Sequence, residues 1–275
     1  MTTDLLNDGV YYQLYRQSER GRWNMSDIPF DEIDDSLVND FWLAMVREIA
    51  RSELTTFDAV RQFFELGFVD DPDFGQWLAT WFFEETRHPQ ALMQWLDHFG
   101  VKFEPAFMTE GRQTFPFMKA RMGTLTMNII SEMMASFGYG NLAKYAPEPV
   151  LATIARLLAR DEARHATHFL AYAKRHLERA SDKDAERKIA VQVLFVWRYG
   201  RKKVQHPIGM LVSEFEDHPD FKAVYDRMGF DDEKLLGGIC RVIENLVELP
   251  LSTKAEVSAA LRKLSRGSKE ASSSS

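Results

Sequence analysis

Two five-residue stretches decide the reading of this chain: Glu84-Glu85-Thr86-Arg87-His88 and Asp161-Glu162-Ala163-Arg164-His165. Each is an acid followed by Glu, any residue, Arg and His, so each contains a Glu-x-x-His step. On a helix, positions i and i+3 lie side by side on one face, which makes each pair a chelating carboxylate and imidazole. That donor pair suits a first-row metal such as iron or manganese. Chance placement of 21 glutamates and 7 histidines gives roughly half of one such step per chain, so a single copy carries no weight. Two copies with the same leading acid and the same arginine do.

Working outward, the apolar spacing predicts helices over about 36–66 and 73–99, joined by the short Gly67–Asp73 link. The pattern lapses over about 100–116. It resumes over about 117–145, stops at Pro147 and Pro149, and runs again over about 149–180. Two tight hairpins joined by one long crossover is the connectivity of a ferritin-like four-helix bundle, and each metal motif then sits on the second helix of its hairpin. Further helices are expected over about 183–205, 218–228, 231–247 and 253–265. The expected class is all-α: one ferritin-like di-iron domain over 1–267, with extra C-terminal helices, and a disordered Ser-rich tail at 268–275. Pro89 directly follows His88 and cannot donate to the carbonyl of Glu85, so a distortion is expected at the first motif.

Composition narrows the chemistry. The chain of 275 residues is 45% hydrophobic and 27% charged, enough apolar content for a substantial core. Cys240 is the single cysteine, which excludes disulfide frameworks and thiolate metal clusters. A net charge of −7 argues against nucleic acid or an anionic membrane as principal partner. No apolar run is long enough for a membrane span, and the N-terminus does not read as a targeting peptide, so a cytoplasmic location is expected.

A dinuclear carboxylate site needs one further glutamate from each of the remaining helices. At about 100° per residue, Trp42, Val46, Ile49, Phe57, Val60 and Phe64 fall within roughly 40° of Glu53, whereas Glu48 lies about 140° away and is expected to face water. Glu132 occupies the matching position on the third helix, near Leu125, Ile129, Met133, Met134 and Phe137. The candidate ligand and catalytic set is therefore Glu53, Glu85, His88, Glu132, Glu162 and His165. Four carboxylates and two imidazoles suffice for two divalent ions with positions left open for dioxygen.

At these residues the sequence resembles the soluble acyl-acyl-carrier-protein desaturases, which are ferritin-like di-iron enzymes. EETRH at 84–88 and DEARH at 161–165 are similar to that family's two signatures. Further points of likeness are Trp77 and Trp81 before the first motif, Gly140-Asn141 after Glu132, Trp23 with Asp27, and Arg201-Lys202-Lys203 with Pro207. The resemblance implies that the six candidates ligate two ferrous ions, with manganese an option at one position. It further implies that Asp161 orients His88 and that Trp23 lies on the route of entering electrons. The implied partners are an acyl carrier protein bearing a fatty acyl chain, a ferredoxin-like electron donor, dioxygen and a second copy of the chain. The basic run 201–203 is the candidate carrier contact. One departure stands out: Ala135 occupies the place of the family's threonine, three residues after Glu132. The two other readings are a di-iron oxygenase that hydroxylates or N-oxygenates a smaller molecule, and a ferritin-like iron-binding protein without turnover.

Overall fold

A computed structural model of the chain describes residues 9–110, 119–200, 215, 217–230 and 232–273, and beyond residue 265 the backbone alone. The described residues form helices and no strand. In chain order these are α1 (Tyr11–Gly21), α2 (Asp40–Glu53), α3 (Thr56–Glu65), α4 (Pro72–Glu85), α5 (Arg87–His98), α6 (Pro105–Glu110), α7 (Arg121–Tyr145), α8 (Pro149–Arg179), α9 (Lys183–Tyr199), α10 (Pro219–Met228), α11 (Glu233–Val247) and α12 (Lys254–Ser273). The chain divides into two compact units, 1–116 with 135–164 and 205–230, and 117–134 with 165–204 and 231–275.

The first two predicted long helices are each interrupted at the residues of interest. The 36–66 segment divides into α2 and α3 at Leu54-Thr55. There the amides of Leu54, Thr55, Phe57 and Asp58 bond to carbonyls three residues back rather than four. Such a turn advances each residue by about 120°, so α3 is out of phase with α2. Phe64, expected on the apolar face beside Glu53, is accordingly 60% exposed. The second segment divides at Thr86 into α4 and α5. Here Pro89 is the cause: it falls in the first turn of α5, where a missing N–H costs no intrahelical bond.

In the first unit, α2 packs on α5 and α1 on α4. Val46, Ile49, Leu54, Leu92, Trp95, Leu96, Leu151, Ile154 and Leu158 form the centre of a single apolar cluster. A second aromatic group, Phe63, Phe68, Phe74, Trp77 and Trp81, ties α3 to α4 with ring centroids 4.7–6.0 Å apart. Asp73 adds a polar tie by accepting the backbone amides of Val10 and Tyr11. In the second unit α9 carries α11 and α12, and Val193, Leu194, Ile239, Ile243 and Val257 are fully buried.

A carboxylate outside any metal motif starts α8. Glu148 is fully buried and accepts from Trp95 Nε1 at 2.8 Å and from the amides of Val150 and Leu151 at 3.0 and 2.7 Å. It caps the helix while Pro149 fills the first helical position, where proline is favoured. Glu148→Ala strands a buried indole donor and two helix-end amides. The expected cost is about 2–3 kcal/mol of unfolding free energy, to be read from urea melts, with metal binding retained.

Candidate metal centre

Glu53, Glu85, His88 and Glu162 converge at the two helix breaks. Glu53 ends α2, Glu85 ends α4, His88 lies in the first turn of α5, and Glu162 comes from the middle of α8. One ligand atom from each of the four lies within 4.8 Å of all the others. His88 Nδ1 is the hub, 3.3 Å from Glu162 Oε1, 3.4 Å from Glu53 Oε2 and 4.0 Å from Glu85 Oε2. Metal–ligand bonds of about 2.0–2.2 Å place neighbouring ligand atoms about 3–4 Å apart, so this spacing fits a bound cation. The donor set fits too, since hard carboxylates with one imidazole suit iron or manganese.

Asp161 orients the imidazole from behind. Its Oδ2 lies 3.3 Å from His88 Nε2 and accepts the Trp23 indole N–H at 2.8 Å. Its Oδ1 accepts from Arg164 Nη2 at 2.7 Å, and the same nitrogen reaches Glu84 Oε2 at 3.1 Å. Arg87 donates to the Trp23 carbonyl and lies over the Trp23 ring, 4.8 Å from its centroid. With Nε2–H directed at Asp161, Nδ1 is the ring nitrogen that faces the carboxylates, and loss of its proton leaves the tautomer a ligating histidine needs.

Electrostatics agree with a site built for a cation. Burial raises the Glu53 carboxyl above its ordinary range; its bond with His88 works against that, and the charges of Glu162 and Glu85 add to it. Burial alone would lower the pKa of His88, but Glu162, Asp161 and Glu53 hold it well above its usual value. A proton on that ring is what a metal ion displaces when it binds.

In the second unit Glu132 and His165 come together, with Nδ1 3.7 Å from Glu132 Oε2 and both side chains buried. His165 also follows Glu162 at i+3 on α8. Trp23 and Asp161 are buried beside His88 as described. The expected water-facing Glu48 is a correction: it is buried, with its charge met by Arg51 and Arg47. Glu48 precedes the Leu54-Thr55 turn, so its burial owes nothing to the change of phase; the side chains of Arg51, one turn on, and Arg47 pair with it. Ser136, next to Ala135, donates to the Ala159 carbonyl at 2.9 Å. Arg201, Lys202, Lys203 and Pro207 lie outside the described residues.

Two groups escaped the sequence reading. Tyr139 donates its phenol O–H to Glu53 Oε1; burial, then the Glu53 carboxylate, pushes its pKa well above normal. It sits seven residues beyond Glu132, two helical turns along the same face, and that periodicity was the available signal. Thr56 Oγ1 donates to Glu85 Oε2 at 3.0 Å, and nothing in the spacing marks it.

The described helices thus carry a cluster of glutamates and histidine that could hold a metal ion. None of the described helices is long and apolar enough to cross a membrane. The sequence model of the fatty acid desaturase family matches residues 25–230, three quarters of the chain. The chain belongs to the fatty acid desaturase family and is an oxidoreductase of that kind. Comparison with individual curated proteins gives no match.

Proposed function

We propose that the protein is an oxygen-dependent di-iron desaturase acting on a fatty acyl chain carried by acyl carrier protein. Glu53, Glu85, His88 and Glu162 hold the metal, and Glu132 with His165 complete the set that the resemblance implies. The observation that carries the reading is the placing of His88 between three carboxylate oxygens and Asp161. Family membership supports the acyl substrate, and the paired motifs support two irons, with manganese an alternative at one position.

When bound, the iron pair supplies the reduction of dioxygen that takes one hydrogen from each of two adjacent methylenes; a ferredoxin-like donor provides the two further electrons. The protein's own groups orient and insulate. Asp161 keeps His88 in the ligating tautomer, and Arg164 gives Asp161 and Glu84 a shared cation. Trp23, Asp161 and His88 form one hydrogen-bonded line, which we assign as the electron route. A cytoplasmic homodimer is the assembly the resemblance implies.

The test supplies an acyl-carrier thioester, dioxygen, ferredoxin and its reductase to the iron-loaded protein, followed by mass analysis of the released acid. A product two mass units lighter is expected. Ala135, with the neighbouring Ser136 hydroxyl spent on a backbone carbonyl, favours oxygenation as the second reading. That reading predicts a product sixteen units heavier. Accumulation of many irons per chain without turnover identifies an iron-binding protein instead.

A further inference from the structure

Tyr139 belongs to no ligand set proposed above, yet it is buried against one. Its phenol donates to Glu53 Oε1, while Oε2 of the same carboxylate lies 3.4 Å from His88 Nδ1. One oxygen is thus engaged by a protein donor and the other faces the ligand cluster. Glu85 is treated differently, because Thr56 donates to its Oε2, the oxygen on the His88 side.

We propose that Tyr139 is a positioning residue that restricts Glu53 to ligation through a single oxygen and so keeps one metal coordination position open. A carboxylate can bind a metal through one oxygen or both. A buried O–H without an acceptor is costly, so the phenol retains Oε1 when a metal takes Oε2. Loss of the hydroxyl frees Oε1 to swing onto the metal and fill the position. The inference rests on reading Glu53, Glu85, His88 and Glu162 as metal ligands.

Co(II) alone, titrated into the metal-free full-length chain, is the probe, since its visible absorption reports coordination number. Tyr139→Phe removes one oxygen and keeps the ring; Tyr139→Leu is the second donor-less variant, should the first lose its helical circular dichroism. With the fold intact, a changed Co(II) spectrum and a 10–100-fold change in affinity for one equivalent are expected, the range typical for groups behind metal ligands. Spectrum and affinity equal to wild type overturn the proposal. Equal loss of all Co(II) from a folded variant also overturns it, pointing to packing alone. A wild-type chain that binds no Co(II) refutes the metal reading itself, a result distinct from either.

Discussion

Glu162→Ala is expected to abolish the metal centre while changing the stability of the metal-free protein little. Glu162 is buried, and its charge raises the pKa of its neighbour Glu53. Without a metal, Glu162 repels Glu53 but also pairs with the protonated His88, so its deletion has two opposed effects on the apo chain. In the proposed site the same carboxylate is a metal ligand, and its loss removes affinity outright. Anaerobic loading with Fe(II) should fall from about two irons per chain to less than one, with turnover lost and the apo melting temperature little changed. Iron content equal to wild type would sink the ligand assignment. A large fall in apo stability would show that Glu162 serves the fold rather than the metal.

Arg164→Met is expected to act in the opposite way, on the fold first. Its guanidinium bridges Glu84 and Asp161, both fully buried. These charges hold Arg164's own pKa above normal against the burial that would lower it. Removing one partner of a buried ion pair leaves uncompensated charge and costs about 3–5 kcal/mol. For a chain of this size each kcal/mol shifts the melting temperature by about 2–4 °C, so a fall of about 6–20 °C is anticipated. Arg47→Met is the control, because Arg47 is half exposed and only 3.6 Å from Glu48; its effect should stay within about 1 kcal/mol. Equal effects for the two variants would refute the buried-bridge account.

The helix boundaries that the sequence predicted well are those with a local chemical cause. α7 ends at Tyr145 and α8 begins at Pro149, because Pro147 and Pro149 forbid continuation. The break after Glu85 follows from Pro89. The break after Glu53 has no proline or glycine; its trace is Ser52 and Thr55, whose hydroxyls bond the carbonyls of Ile49 and Ser52 three residues back. Such hydroxyls compete with the helix ladder, a signal too weak to place a break unaided. α1 went unpredicted because its eleven residues are mostly polar and bury only Leu14 and Ser18, although Tyr11, Leu14, Tyr15 and Ser18 do follow the spacing of one helix face.

Sequence alone determined the helical class and the two Glu-x-x-His pairs, because i,i+3 spacing on a helix is a local geometric fact. It also singled out Glu53, through its place on an apolar face. Only the folded chain decided that Tyr139 and Thr56 engage Glu53 and Glu85, that Arg164 bridges Glu84 and Asp161, and that Glu48 is buried. These are contacts between residues 3 to 86 positions apart. The longer ones depend on how separate helices meet, which no short window of sequence contains.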